Sequence, residues 1–185
     1  MQLPPITLVL GGTASGKSAF AERLVRVSRL AKVYLATAEA HDSETAERIA
    51  IHRKRRSGQG WRTVEAPRDL ARALAQIDAE EVALVDCMTL WLSNLMLSDT
   101  DLDEERDLLS DVLDQLPAPV VLVSNDVGGG LVPDSAPARA LQRELGRLNQ
   151  QLAAQADLVV QVTAGLPLIL KGTAPTSDTD RASLW

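Results

Sequence analysis

The chain has 185 residues, 45% of them hydrophobic but only 3% aromatic, with a formal net charge of −6. That is enough apolar material for one domain with its own core, built from Ala, Val, Leu and Ile. The acidic balance excludes a general nucleic-acid binder, the lone cysteine, Cys87, excludes an internal disulfide, and no apolar run approaches the eighteen or so residues of a membrane span.

The N-terminal "MQLPPITLVL" has no basic stretch ahead of its apolar run. It is therefore read as part of the fold and not as a secretory signal, with the protein expected in the cytoplasm. "ITLVL" (6–10) is a short continuous apolar run, which suits a strand buried on both faces of a parallel sheet. From Lys17 to about Leu30 the spacing of Phe20, Leu24 and Val27 predicts a helix. "KVYLAT" (32–37) is the second strand, and Asp42 or Ser43 caps a helix reaching about Arg56. "WRTVEA" is a short strand and 68–78 a helix. "EVALVDC" (81–87) is another buried strand, followed by helical "MTLWLSNLML". Asp101 to about Leu116 reads as an acidic, solvated helix. "PVVLVSN" (119–125) is a central strand, "DVGGGLVPD" a loop, Pro137 to Ala156 a long helix, "DLVVQVTAG" a strand and "LPLILK" its hairpin partner.

Strands alternating with helices predict an α/β fold with a mainly parallel sheet, flanking helices and a short antiparallel strand at the end. The division expected is one domain over 1–171 and a polar tail over 172–185. Ligands of such sheets sit at the carboxyl ends of the strands, so the informative loops follow Leu10, Ala36, Val85 and Ser124.

One of those loops carries a motif. Gly11-Gly12-Thr13-Ala14-Ser15-Gly16-Lys17-Ser18 fits G-x-x-x-x-G-K-[ST], with a strand before it and a helix after it. Small residues let backbone N–H groups curl around a phosphate, and the helix that follows points its positive end at the same anion. Lys17 reaches the β- and γ-phosphates, and the Ser18 hydroxyl ligates Mg²⁺. Asp86, closing the apolar "VALVD", suits an acidic partner for that metal, although an ordinary strand-end Asp would look the same.

A second feature is "RIAIHRKRR". Arg48 and Arg56 flank His52 at four residues on either side, and Arg55 lies three residues on, so all four share one helical face. Positive neighbours favour the neutral imidazole, which among phosphate-binding guanidiniums could attack phosphorus. The plainer reading is a solvated basic helix end that suits the helix dipole. His41 has no such surroundings. Asn125 and Asp126 either orient a substrate hydroxyl or form a turn. Trp91 and Leu95, four apart, read as core or subunit contact rather than a corrin platform.

Taken in order, "GGTASGKS", "YLATAEA", "ERIAIHRKRR", "WRTVEAP", "LVDCMTLWLSNLM", "VLVSNDVGGGLVP" and "LGRLNQQLAAQADLVVQVTAGLPLILK" closely resemble the bifunctional adenosylcobinamide kinase/adenosylcobinamide-phosphate guanylyltransferase family, over about residues 6 to 171. The resemblance implies a P-loop NTPase-like fold and two reactions. The γ-phosphate of ATP or GTP moves to the aminopropanol hydroxyl of adenosylcobinamide. GTP then gives GMP to a histidine, here His52, from which adenosylcobinamide phosphate takes it. The family's nucleotide contacts fall on Gly11 to Ser18 (with Thr13, Ala14 and Ser15 between the glycines), on Thr37, Ala38 and Glu39, on Arg53, Lys54, Arg55 and Arg56, and on Glu65 and Asp86. The resemblance also implies a homotrimer. This chain departs from the family at Pro133-Asp134-Ser135-Ala136, where an Asn is common, and at Leu141, Gln142, Arg143 and Glu144, where Phe-Arg-Asp is usual. Those departures bear on corrinoid contacts more than on nucleotide chemistry. Two other readings stay open from the residues alone: a single-activity P-loop kinase for another small alcohol, and a nucleotide-sensing module without catalysis.

Overall fold

The computed structural model describes residues 3–39, 58–98, 100–130 and 132–173, together with Lys54 and Arg56. Its strands are β1 (Ile6–Gly11), β2 (Ala31–Ala36), β3 (Trp61–Glu65), β4 (Glu81–Asp86), β5 (Val120–Asn125), β6 (Leu158–Thr163) and β7 (Leu166–Lys171). Its helices are α1 (Lys17–Val27), α2 (Leu70–Leu74), α3 (Met88–Met96), α4 (Leu102–Gln115) and α5 (Ala136–Gln155). The strands form one sheet in the order β3-β2-β4-β5-β1-β6-β7. All neighbours are parallel except β6 and β7, which form the expected antiparallel hairpin.

The apolar runs of the sequence are continuous because both faces of the sheet are covered. On one face, Leu8, Val33, Leu35, Val85, Val120 and Leu122 pack under α2 to α5, with Leu70, Leu74, Trp91, Leu92, Leu109 and Leu148 pointing inward. On the other face, Val9, Leu84, Val121, Val123 and Val160 pack against Phe20, Leu24 and Val25 of α1. Trp91 and Leu95 are fully buried core residues, as their four-residue spacing suggested.

Two helices differ from expectation. The helix read over 68–78 shortens to Leu70–Leu74, because Gln76 and Ile77 turn back with i→i+3 bonds to the Ala73 and Leu74 carbonyls. The helix read as solvated is not fully so. Its acidic first turn is exposed behind an Asp101 cap that accepts from the Asp103 and Glu104 amides, but Arg106, Leu109 and Leu113 are buried. Their three- and four-residue spacing is a core-facing stripe that the surrounding acids obscured.

Most of the helix read over 43–56, His52 included, lies outside the described residues, as does His41; Lys54 and Arg56 are helical. The tail beyond 173 also lies outside them. Among the described residues no helix is long and apolar enough to cross a membrane.

Candidate active site

Parallel pairing brings the carboxyl ends of six strands to one edge. Across that edge Glu65 faces Ala36, Ala36 faces Asp86, Asn125 faces Gly11, and Gly11 faces Val162. The strand of the glycine loop and the strand of Asp86 are separated by β5 alone.

The loop between β1 and α1 is held by backbone contacts. The Ser15 amide donates to the Gly12 carbonyl at 3.2 Å, and the Gly165 amide of the β6–β7 turn donates to the Ser15 carbonyl at 2.7 Å. Gly16 has φ 93°, where an L side chain is strained. At Gly11 a Cβ would lie 2.4 Å from Ser15 Oγ and 2.6 Å from the Val162 carbonyl, so bulk is excluded there by contact. As N-cap of α1, Gly16 offers no side chain to the first-turn amides, which leaves those donors to an anion. Lys17 Nζ donates to the Gly12 carbonyl at 3.2 Å and so lies back across the loop.

Ser18 follows in the first turn of α1, and Asp86 ends β4. Tyr34 of β2 pairs in register with Leu84 of β4, so Tyr34 and Asp86 share one face of the sheet. Burial first and the Asp86 charge second hold the Tyr34 phenol far above the usual range. The buried Cys87 thiol is pushed up to about 11, by burial and then by Asp86, while Lys17 acts in the opposite direction. Lys17 and Asp86 therefore both lie within electrostatic reach of one buried atom. A hydroxyl and a carboxylate are hard donors, and among the described residues no group of three or more His, Cys, Asp or Glu is assembled. That donor set fits Mg²⁺, which draws the rest of its shell from water and phosphate oxygens.

The other sequence-predicted residues divide into groups. Thr37 is wholly buried, with its hydroxyl accepting from the Cys87 amide at 2.8 Å and donating to the Cys87 carbonyl at 2.7 Å. That side chain is committed to tying β2 to β4. Ala38 and Glu39 follow at the same edge, and Glu39 accepts from Arg68 at 3.3 Å. Glu65 ends β3. Lys54 is exposed. Arg56 is buried, with its guanidinium carbon 3.3 Å from the centroid of the Tyr34 ring and Nη1 3.8 Å from Glu22 Oε1. His52, Arg53 and Arg55 lie outside the described residues. Asp126 Oδ1 accepts from the Gly128 amide at 3.3 Å, which is the turn-forming arrangement. Glu144 is paired with Arg106 of α4.

Sequence reading missed the residues that brace this edge. Asn94 of α3, buried, donates to the Thr37 carbonyl at 2.8 Å and the Pro67 carbonyl at 2.9 Å. Thr89 accepts from the Asn125 amide at 3.0 Å, and Asn149 donates to the Asn125 carbonyl at 3.0 Å. Tyr34 reads in the sequence as one more strand aromatic. The only signal available was polarity at helix positions otherwise facing the core.

A phosphate-cradling loop on a parallel sheet, followed by Lys-Ser and faced by a strand-end Asp, defines a P-loop NTPase-like transferase. The RadB recombinase shares the fold at a TM-score of 0.50, with 18% identity, over 85% of this chain and 74% of that one. Residues 7–170 match the family described as "Cobinamide kinase / cobinamide phosphate guanyltransferase", and the chain belongs to that family of bifunctional enzymes. It is 48% identical over 168 residues to the bifunctional adenosylcobalamin biosynthesis protein CobP of Pseudomonas aeruginosa, covering 89% of this chain and 96% of that protein. It is 40% identical over 180 residues to CobU of Escherichia coli, which has the same descriptive name, covering 89% and 98% respectively.

Proposed function

We propose that the chain performs two successive transfers on a cobinamide in the cytoplasm. In the first, the aminopropanol hydroxyl of adenosylcobinamide attacks the γ-phosphorus of ATP or GTP. An O–P bond forms, the β–γ bridge breaks, and the hydroxyl proton leaves with the nucleoside diphosphate released. In the second, a ring nitrogen of His52 attacks the α-phosphorus of GTP, forming a P–N bond and expelling pyrophosphate. A phosphate oxygen of adenosylcobinamide phosphate then displaces His52, giving adenosylcobinamide-GDP. The covalent intermediate divides a difficult nucleotidyl transfer into two easier displacements.

The roles follow from chemistry. The amides from Gly11 to Gly16, with Thr13, Ala14 and Ser15 between, hold the triphosphate, and Lys17 neutralises its β- and γ-oxygens. Ser18 and Asp86 would hold Mg²⁺, which offsets phosphate charge. Arg53, Lys54, Arg55 and Arg56 stabilise charge at the α-phosphate. Thr37 (through its backbone), Ala38, Glu39 and Glu65 form the rest of the nucleotide wall. The observation that carries the reading is this loop, with Lys17, Ser18 and Asp86 at one sheet edge, in a chain whose family match spans both transferase motifs.

Incubation with Mg²⁺ and α-labelled GTP, followed by denaturation, tests the reading. The expected result is an acid-labile, alkali-stable label that is absent in His52→Ala. Absence of label with γ-phosphoryl transfer intact makes the chain a single-activity kinase.

The proposal extends to a homotrimer. Leu166, Leu168 and Leu170 stand exposed at alternate positions of the edge strand β7, an apolar row that a second copy would cover. Leu168→Asp should lower the mass measured by light scattering from that of a trimer toward that of a monomer; an unchanged mass removes β7 from the contact.

A further inference from the structure

We propose that Asn125 is a catalytic residue of the first transfer: its side-chain amide meets the γ-phosphoryl group, and Thr89 and Asn149 are positioning residues that hold its backbone for that task. The inference rests on the γ-phosphoryl transfer proposed above, and goes beyond it by naming a residue that the reading leaves without a role.

Asn125 ends β5, the strand that separates the glycine loop of β1 from Asp86 of β4. It stands in register with Gly11, where the loop begins. Asp86 pairs with Val123, so Asn125 lies two residues further toward the ligand side of the edge. Residues two apart share a face of a strand. Val121 and Val123 pack on the α1 side of the sheet, whereas Val120 and Leu122 pack on the other. Asn125 continues the first of these rows. Asp86 continues the row of Val82 and Leu84, which packs on the same side. In P-loop sites the lysine and the acidic strand end both serve the β- and γ-phosphates. A polar group between the loop and Asp86 therefore meets that end of the triphosphate and not the α-phosphate.

The backbone of Asn125 is fixed by three bonds. Its amide donates to Thr89 Oγ1, its carbonyl accepts from Asn149 Nδ2, and the next amide, of Asp126, donates to the Gly11 carbonyl, each at 3.0 Å. Asn149 is itself oriented, because its Oδ1 accepts from the wholly buried Ser124 at 2.6 Å. Of the Asn-Asp pair, Asp126 makes the turn. Its Oδ1 accepts from the Gly128 amide at 3.3 Å and its Oδ2 from Gln161 at 3.4 Å. The half-buried side chain of Asn125 makes no hydrogen bond among the described residues. Side chains from two helices thus hold one short backbone segment, while the amide it carries stays unspent. That is how a preorganised donor is built. Nδ2 donates to a γ-oxygen, and Oδ1 accepts from the attacking hydroxyl and holds it in line. The amide takes no proton, and the bonds made and broken are those given above.

Substitutions in the full-length protein separate this role from a structural one. Asn125→Ala removes the amide and keeps every bond that fixes the backbone. Its kcat for γ-phosphoryl transfer to adenosylcobinamide should fall about 10²-fold, while covalent labelling from α-labelled GTP falls less than about threefold. Without turnover, affinity for a non-hydrolysable GTP analogue should fall about tenfold relative to affinity for GDP, because the contact is to the γ-phosphate. Asn125→Asp keeps the size and the turn-forming character but sets a negative charge against that phosphate, so it should lower the analogue-to-GDP ratio further than alanine does. Asn149→Ala should lower the ratio about threefold, a change that loss of packing alone does not produce. An unchanged ratio in both Asn125 variants overturns the assignment, as does a loss of γ-transfer matched by an equal loss of label. If the wild type moves no γ-phosphate to a cobinamide, the first step of the proposed function is lost. The affinity ratio, which needs no turnover, then still decides whether Asn125 meets the γ-phosphate.

Discussion

Lys17→Ala lowers both γ-phosphoryl transfer and covalent guanylylation, each by about 10²–10³-fold, while the variant keeps its cooperative melt. Its side chain is a charged donor at the phosphate cradle, half-buried and held, among the described residues, by the Gly12 carbonyl. Loss of that one bond costs the fold little, about 1 kcal/mol. Loss of the ammonium removes the charge that balances the β- and γ-oxygens, whichever phosphorus is attacked. Among the described residues there is one glycine loop of this kind, so a single substitution should depress both reactions. His52→Ala should separate them, abolishing the label and sparing γ-transfer. Steady-state assays of γ-transfer beside quantitation of label in the same preparations make the comparison. Loss of one activity alone in Lys17→Ala would mean that a second triphosphate site serves the other.

How far the sequence carried depends on the range over which each interaction acts. β1, the glycine loop and α1 were legible because a buried strand, a glycine needed at φ 93° and an amphipathic helix are encoded within a few consecutive residues. Asp86 was legible because it ends an apolar run. The β6–β7 hairpin was legible from two apolar runs around Ala164-Gly165, both at positive φ. The braces of the site were not. Asn94 meets Thr37 across 57 residues, and Asn149 meets Asn125 across 24. Tyr34 and Asp86 share a sheet face only because β2 and β4 are neighbours, and no local pattern states strand order. Thr37, which the resemblance places at the nucleotide, has its hydroxyl engaged by Cys87 across 50 residues. Pairings of that kind are set by tertiary packing, and the residue types at either end look like ordinary polar positions.

Glu144→Ala should destabilise the protein by about 3–5 kcal/mol, the largest stability effect expected away from the core. The position had stood out as a departure from the family pattern near the corrinoid side, but the structure gives it a packing role. Arg106 of α4 is buried, its side chain only 7% exposed, and its Nη2 is hydrogen-bonded to Glu144 Oε2 of α5. Its remaining carboxylate partner is Asp103, 3.0 Å away but 89% exposed and so weakly effective. Removing Glu144 leaves a buried cation nearly uncompensated, with Nε already lacking a partner. The hydrogen bond from Arg106 holds the Glu144 carboxyl below the ordinary carboxylate range, with burial opposing and the charges of Arg106, Arg147 and Arg143 assisting. A carboxyl depressed on folding contributes fully above its unfolded pKa of about 4.3 and loses that contribution as pH falls through the folded value. Wild-type melting temperature should therefore drop in acid, while Glu144→Gln should start lower and change less across the same window. Calorimetry between about pH 3 and pH 7 reads both slopes. Replacing the pair together, Arg106→Leu with Glu144→Leu, should recover most of the loss, because a buried ion pair is costly to break and nearly neutral to remove whole. If Glu144→Ala melts within a degree or two of wild type, the two helices are held by their leucines alone. Arg106 must in that case find its counter-charge elsewhere.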